Sequence, residues 1–299
     1  MSPDAATLPP VYDAREPADL IAAWRPGLAI RTAHPVGGGC INDGRVLELA
    51  DGSCVFLKSN QRAPADMFAV EARGLLLLGA SEVLRVPRPL AVAGDGSMLL
   101  LEYIEPGRSS AAGQRELGSR LAELHRTART AAAGLDHDNY IGATPQNNHG
   151  PAQWHEFFGA NRLSELGTKL ASAGGPDLRE DLARLALRLP DLLPDPDDGT
   201  PSLLHGDLWG GNVMFDRAGA PVVIDPAVYY GHREADLAMT ALFGGFGAEF
   251  YAAYHDTWPL EPGYRDRFEL YNLYHVLNHA LLFGGGYAAQ ARATLRTYA

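Results

Sequence analysis

The amino-acid sequence predicts an α+β protein in which a small β-rich lobe precedes a larger, mainly helical lobe. Short β-type runs broken by turn residues dominate as far as residue 104, and apolar residues at helical spacing dominate after it. The Glu-Pro-Gly sequence at 105–107 separates the two patterns, so we predict lobes at residues 1–104 and 105–299. A hydrophobic content of 46% over 299 residues is sufficient for two cores.

The first lobe is predicted to contain antiparallel strands and one helix. The runs VLEL at 46–49 and VFLK at 55–58 flank an Asp-Gly turn, which is typical of a hairpin. The next segment, 65–80, has helical spacing, with Asp66 near its start and Gly79 near its end. The runs VPRPLAVAG and SMLLLEYIE, which flank a Gly-Asp-Gly turn at 94–96, predict two further strands.

The second lobe is predicted to be built from helices. Helical spacing is clear in the segments 114–128, 154–171 and 178–193, and again from residue 233 onward. Two short β-like runs, SLLH and PVVID, flank the sequence HGDLWGGN at 205–212, so we expect a short hairpin insert there.

The composition excludes several classes of partner and location. The net charge of −11 opposes a general affinity for nucleic acid or an anionic membrane. The amino terminus lacks the pattern of a signal peptide, and no apolar run is long enough to span a bilayer, so we expect a cytoplasmic protein. Cys40 and Cys54 are expected to be ordinary reduced thiols.

Lysine is rare in this chain, because 23 of the 25 basic residues are arginine and only Lys58 and Lys169 are lysine. Lys58 ends a predicted strand, and Glu71 lies 13 residues later in the following helix. This is the order of a strand lysine and a helix glutamate over nucleotide phosphates. The alternative is a solvated lysine at a strand end, and Lys169 is expected to be a solvated residue on a helix exterior.

The strongest chemical signal is HGDLWGGN, followed by Asp225 at the end of the apolar run PVVI. Phosphoryl transfer needs a carboxylate that accepts a hydroxyl proton and oxygen ligands that hold magnesium. Asp207 is predicted to be the base, and Asn212 and Asp225 the magnesium ligands. The alternative is that these residues only form turns between strands.

Three further sets of residues are candidates for nucleotide or acceptor binding. A glycine run between two strands suits a loop whose amides approach phosphates, or a plain turn: Gly37, Gly38 and Gly39. The boundary segment either presents backbone groups to an adenine or is an ordinary strand end: Glu102, Tyr103 and Ile104. Trp209 is expected either to wall a sugar-like acceptor or to pack.

Three further polar residues are expected to have structural rather than catalytic roles. His125 and His205 are predicted to be hydrogen-bonding structural histidines rather than metal ligands. Asp236 is predicted to brace the catalytic loop from the start of a helix rather than to touch substrate.

Four segments together resemble the fructosamine kinase family: GGGCIND at 37–43, MFAVEARGL at 67–75, HGDLWGGN at 205–212 and DPAVYYGHREADLAM at 225–239. The similarity runs from about residue 15 to the end and includes WHEFFGANRL and DNYIGATPQNN at 138–148. The resemblance implies the aminoglycoside phosphotransferase and protein-kinase-like fold. It also implies ATP- and magnesium-dependent phosphorylation of the O3 hydroxyl of a small-molecule or protein-bound ketosamine, whose phosphate ester then releases the amine.

The sequence departs from the family at one loop position and leaves the acceptor open. The family loop usually reads HGDLWSGN, and Gly210 here replaces the serine, which puts acceptor preference in doubt and suggests a more mobile loop. Cys40 in the glycine loop suggests redox-sensitive nucleotide binding. The alternatives are a kinase of another hydroxylated substrate (an aminoglycoside, choline or a sugar) and a catalytically silent nucleotide-binding protein.

Overall fold

A computed structural model of the chain describes residues 8–37 and 42–299. These residues form two compact units. The first contains the described residues up to Gly113 together with Gly211–Pro226, and the second contains Gln114–Gly210 and Ala227–Ala299. The first unit is rich in strands and the second is mainly helical, so the predicted α+β organisation is confirmed. The chain passes from the second unit back to the first inside HGDLWGGN, between Gly210 and Gly211.

The first unit is centred on a six-stranded sheet in the order β1-β5-β6-β4-β3-β2. Its strands are β1 (Val11–Tyr12), β2 (Ile30–Val36), β3 (Asp43–Leu49), β4 (Cys54–Ser59), β5 (Pro89–Ala93) and β6 (Met98–Glu102). β1 pairs with β5 in parallel, and the other pairs are antiparallel. Two helices accompany the sheet, α1 (Pro17–Trp24) and α2 (Met67–Gly79). The predicted hairpins and the predicted helix are therefore present.

Both faces of this sheet are covered, which explains the uninterrupted apolar run in β6. Leu100 packs in a cluster with Leu20 and Ile21 of α1. Leu99 and Leu101 pack with Phe68 of α2. Because successive side chains of a strand point to opposite faces, a strand buried on both faces is apolar throughout.

The last part of the first unit is a separate hairpin, in which β10 (Val213–Phe215) pairs with β11 (Pro221–Val223). The backbone amide of Val223 donates to the carbonyl oxygen of Arg85 at 3.0 Å, which ties this hairpin to the segment before β5.

The predicted pairing around HGDLWGGN is wrong, because SLLH and PVVID do not pair with each other. β9 (Ser202–Leu204) pairs with β12 (Tyr229–Gly231) in the second unit, whereas PVV lies in β11 of the first unit. Both runs are short and fully buried, and periodicity does not reveal the partner of such a strand.

The second unit consists mainly of helices around the long buried helix α9. Its helices are α3 (Ala111–Thr127, whose first turn belongs to the first unit), α4 (Trp154–Phe157), α5 (Glu165–Ser172), α6 (Arg179–Leu192), α7 (Glu234–Leu242), α8 (Ala248–Thr257), α9 (Phe268–Phe283) and α10 (Tyr287–Tyr298). A π-helical segment, Phe158–Ser164, joins α4 to α5, and a hairpin of β7 (Asn139–Ile141) and β8 (Thr144–Gln146) precedes them. No helix within the described ranges is both long and apolar enough to cross a membrane.

Candidate active site

The first unit brings Lys58, Glu71 and Asp225 together. Lys58 lies in β4, where it pairs with Leu99 of β6, and its ammonium is nearly buried. Nζ of Lys58 donates to Oε1 of Glu71 in α2 at 2.7 Å and to Oδ1 of Asp225 at 3.0 Å. The side chain of Glu71 is 11% exposed and that of Asp225 is 46% exposed. The carboxylate of Asp225 is therefore the member of the cluster that solvent or a ligand can reach.

This cluster contains two carboxylates and only one ammonium. Burial lowers the pKa of Lys58, but the adjacent carboxylates of Asp225 and Glu71 outweigh burial, and the pKa lies above its ordinary value. Burial raises the pKa of Glu71, with a further contribution from Asp225 and an opposing one from Lys58. One ammonium therefore serves two carboxylates, an arrangement that favours the approach of another cation.

Asn212 and Asp225 are held together by the backbone of the β10–β11 region. The amide of Ile224 donates to the carbonyl oxygen of Asn212 at 3.0 Å, and Nδ2 of Asn212 donates to the carbonyl oxygen of Asp225 at 3.5 Å. Asp225 has a φ of 55°, in the left-handed region that non-glycine residues rarely adopt. Such strained conformations concentrate at functional sites.

The oxygen atoms of Asn212 and Asp225 suit a magnesium ion that also binds water and phosphate. They do not suit a metal ion whose ligands are all protein side chains. No group of three His, Cys, Asp or Glu side chains that could hold a metal ion occurs in residues 8–37 and 42–299. Mg²⁺ usually keeps several waters and takes one or two carboxylates together with substrate phosphates. A single carboxylate plus an amide oxygen matches that pattern.

The second unit holds the loop that carries Asp207, and Asp236 fixes this loop from the start of α7. Oδ2 of Asp236 accepts the backbone amide of His205 at 2.7 Å, and Oδ1 accepts that of Gly206 at 2.9 Å. Burial raises the pKa of Asp236, but the hydrogen-bonded His125 and the loop groups outweigh it, and the net shift is downward. The bracing role predicted for Asp236 is thus observed.

His125 orients Asp236 from α3. Its Nε2 lies 3.2 Å from Oδ2 of Asp236, and its Nδ1 lies 2.8 Å from the hydroxyl of Tyr254. The backbone amide of Asp207 donates to Nδ1 of His205 at 3.3 Å. Both histidines are fully buried and hydrogen-bonded, as predicted for structural histidines.

Gly206 allows the loop to lie against Ala227. Gly206 has a φ of 82°, and a Cβ at this position would overlap the carbonyl oxygen of Ala227. The backbone amide of Ala227 in turn donates to the carbonyl oxygen of His205 at 2.9 Å. The peptide groups of the loop are therefore fixed from two sides, and glycine is required between them.

Trp209 and Gly210, at the end of this loop, contact the segment that follows α7. The Trp209 ring packs edge-to-face against Phe243, with centroids 6.0 Å apart. A Cβ on Gly210 would lie 2.9 Å from the carbonyl oxygen of Gly244 and 3.1 Å from Cα of Gly245. The missing side chain lets two backbone segments approach closely. Trp209 remains half-buried, so its predicted role at an acceptor and its packing role are compatible.

The remaining predicted nucleotide-binding residues lie at the ends of β2 and β6 or outside the described residues. Gly37 is exposed just after β2, whereas Gly38, Gly39 and Cys40 lie outside the described residues. Glu102 ends β6, and its amide donates to the carbonyl oxygen of Arg88 at 2.9 Å. The other two residues of the predicted adenine segment directly follow β6, one half-buried and one buried: Tyr103 and Ile104.

Lys169 is less solvated than predicted. Its Nζ donates to Oε1 of Glu165 at 2.6 Å and to the carbonyl oxygen of Pro145 at 2.5 Å, and its side chain is 29% exposed. The first contact has the i,i+4 spacing of a helical ion pair. The second joins α5 to the β7–β8 hairpin, which helical periodicity cannot reveal.

A set of buried polar residues in the second unit has no role predicted from the sequence. They lie in DNYIGATPQNN and WHEFFGANRL, and they are Asn139, Gln146, Asn148 and Arg162. The sequence signal for them is composition, because four amide residues within the ten positions 139–148, followed by an arginine in an apolar helix, are unusual for a core.

Comparison with known proteins places the chain in a family. The fructosamine kinase family profile matches residues 17–299. A probable ketoamine kinase of Synechocystis sp. is 45% identical over 272 residues, covering 89% of this chain and 90% of that protein. The chloroplastic protein-ribulosamine 3-kinase of Arabidopsis thaliana is 40% identical over 276 residues, covering 88% and 81%.

A solved structure agrees with this assignment. The crystal structure described as a fructosamine-3-kinase from Haemophilus somnus 129PT has a TM-score of 0.83 and 27% identity, covering 94% of this chain and 96% of that one. The likeness extends over both units, and the predicted kinase-like fold is confirmed. The chain therefore belongs to the fructosamine kinase family.

Proposed function

We propose that this chain is an ATP- and magnesium-dependent kinase that phosphorylates the O3 hydroxyl of ketosamines. The observation that carries the proposal is the contact of one buried lysine, Lys58, with both Glu71 and Asp225. A strand lysine oriented by a helix glutamate is the nucleotide-binding arrangement of kinases. Relatives named ketoamine kinase and protein-ribulosamine 3-kinase support the choice of acceptor.

The first unit supplies the nucleotide half of the reaction. Glu71 holds the Lys58 ammonium in place so that it donates to phosphate oxygens. Asn212 and Asp225 would hold magnesium, which, when bound, neutralises charge on the transferring phosphate. We propose that Gly37, Gly38 and Gly39 bring amides to the phosphates and that the segment Glu102–Ile104 contacts the adenine.

The second unit supplies the acceptor half. Asp207 accepts the proton of the O3 hydroxyl as that oxygen bonds to the γ-phosphorus, while the bond from the γ-phosphorus to the bridging oxygen breaks and ADP leaves. Asp236 fixes the loop, so Asp207 needs little reorganisation before transfer. Trp209 offers an aromatic face to the C–H groups of the sugar.

The decisive experiment measures ADP release with a panel of acceptors, with magnesium and with excess chelator. Ribulosamine-lysine and fructosamine-lysine should be phosphorylated, and kanamycin, choline and ribose should not. Asp207→Ala should abolish transfer, whereas Asp191→Ala, at an exposed aspartate of α6, should not. Transfer to kanamycin or choline but not to ketosamines would overturn the acceptor. Nucleotide binding without any transfer would indicate a silent binding protein.

The same assay addresses the partners. A free ketosamine and a glycated protein presented at equal ketosamine concentration distinguish a small-molecule from a protein-bound acceptor. The net charge of −11 supports the proposal that nucleic acid is not a partner. The cytoplasm remains the proposed compartment.

A further inference from the structure

A buried hydrogen-bonded network in the second unit connects a buried arginine to the residues beside the catalytic loop. Its members are Asn139, Gln146, Asn148, Arg162 and Tyr274, all of them buried. They come from the β7–β8 hairpin, the residues just after it, the π-helical segment and α9. The proposed chemistry uses none of them directly.

One branch of the network begins at Arg162. Nη2 of Arg162 donates to Oδ1 of Asn148 at 2.7 Å, and Nδ2 of Asn148 donates to Oδ1 of Asn139 at 2.9 Å. Nδ2 of Asn139 then donates to the carbonyl oxygen of Val228 at 2.8 Å. Each bond is oriented by the one before it, because an amide that accepts at its oxygen donates at its nitrogen.

The second branch begins at Tyr274 in α9. Its hydroxyl donates to Oε1 of Gln146 at 2.5 Å. Nε2 of Gln146 donates to Oδ1 of Asn139 at 2.8 Å and to the carbonyl oxygen of Ala227 at 3.2 Å. Both branches therefore end on neighbouring carbonyl groups, those of Ala227 and Val228.

These carbonyls belong to the irregular segment just before β12, which contacts the catalytic loop. The amide of Ala227 donates to the carbonyl oxygen of His205, and the carbonyl of Ala227 lies against Gly206. Asp236 holds the amide side of the same two loop residues. The network thus contacts the segment that binds the carbonyl of His205 and lies against Gly206, whereas Asp236 binds the amides of the same two residues.

Stability alone does not account for such a network. Arg162 is fully buried, forms no ion pair with any carboxylate in the described part of the chain, and has an Nε without a hydrogen-bond partner there. The faces of Phe157 and Tyr229 cover its guanidinium, with centroid distances of 4.6 and 4.0 Å. Burying such a charge is costly, and apolar side chains of similar volume would usually stabilise a core as well or better.

The network also lies within electrostatic reach of the proposed base. Burial is the main cause that raises the pKa of Tyr274, and the carboxylate of Asp207 contributes in the same direction. The π-helical segment that carries Arg162 is a second indication, because π-helical insertions recur at functional sites.

We propose that the five residues of this network are positioning residues that set the catalytic loop, and with it Asp207, through the backbone of Ala227 and Val228. The inference rests on the proposed role of Asp207 as base. It predicts that disrupting the network slows transfer while leaving nucleotide binding intact, because the nucleotide residues Lys58, Glu71 and Asp225 belong to the other unit.

The test is Gln146→Met, which keeps the side-chain volume and removes all three hydrogen bonds of Gln146. We expect kcat with ribulosamine-lysine to fall about 10- to 100-fold, the range for a base displaced by up to about 1 Å. The Kd for ATP, measured by titration calorimetry, should stay within about twofold of wild type. Hydrogen exchange of the peptide containing His205 and Gly206 should become faster.

A matched control lies two residues away in β8. Thr144 is buried, and its hydroxyl has no hydrogen-bond partner in the described part of the chain, so Thr144→Val changes the same core without touching the network. Its kcat should equal that of wild type. Tyr274→Phe removes only the hydroxyl at the start of one branch, so it should show a smaller fall in kcat even if Gln146→Met fails to fold.

The outcomes separate the two proposals. If wild type does not phosphorylate ketosamines, the proposed function fails. If wild type is active and Asp207→Ala is inactive, but kcat is unchanged in folded Gln146→Met or in Tyr274→Phe, only the positioning role is overturned. Equal losses in kcat for Thr144→Val and Gln146→Met would also overturn it, because the effect would then be general core damage.

Discussion

Replacing Lys58 with arginine conserves charge and should nevertheless abolish most activity. The ammonium lies between Glu71 and Asp225, at 2.7 and 3.0 Å, in a side chain that is only 7% exposed. A guanidinium is wider, planar and rigidly forked, and it cannot hold both contacts and also reach a phosphate from the same backbone position.

The structure sets the expected magnitudes. Overpacking a buried site costs about 1–3 kcal/mol, so the melting temperature should fall by less than about 12 °C and the protein should remain folded. Loss of one preorganised donor to the transferring group costs about 3 kcal/mol, or roughly 100-fold in kcat/KM. Lys58→Met should be less stable than Lys58→Arg, because it leaves buried Glu71 without its cation.

The assay is steady-state ADP release with saturating ketosamine, combined with thermal unfolding of each variant. The other lysine of the chain provides the control: Lys169→Arg keeps an i,i+4 partner on α5 and should retain wild-type turnover. Near wild-type kcat/KM in Lys58→Arg would refute the phosphate-binding role. A similar loss in Lys169→Arg would show that any lysine-to-arginine change damages the protein.

Three further predictions concern the second unit. Asp236→Asn leaves one loop amide without an acceptor, so it should lower the free energy of unfolding by about 1–3 kcal/mol and lower kcat, as urea unfolding and kinetics would show. Gly206→Ala should lose activity, because its Cβ overlaps the carbonyl of Ala227; unchanged kcat would contradict this. Burial lowers the pKa of His232 and of His275 to about 3, so the unfolded chain binds more protons and stability is lost as pH falls below about 6.5. The slope should approach 1.4 kcal/mol per pH unit for each histidine, and His275→Gln should remove about half of it.

The sequence predicted the parts of the site that depend on local order along the chain. Lys58 and Glu71 fall on a strand and the next helix, so their spacing sufficed to expect a pair. Asp236 was found because a helix start is a local feature. Contacts between distant segments were not predictable. The hydrogen bond from Lys58 to Asp225 joins residues 167 positions apart. The pairing predicted for SLLH was wrong because the sequence of a three-residue buried strand does not indicate which strand it pairs with.

The net charge of the molecule and the charge of the Lys58–Glu71–Asp225 cluster both bear on which form of ATP binds. A net charge of −11 repels ATP at long range, so no general electrostatic steering assists its binding. Locally, one ammonium serves two carboxylates, and the more exposed of these is Asp225. Free ATP would therefore meet a site with surplus negative charge, whereas magnesium-bound ATP brings the cation that Asn212 and Asp225 are proposed to ligate. Under the proposed function, the magnesium complex rather than free ATP is the species that this cluster binds, and excess free ATP should be a poor competitor.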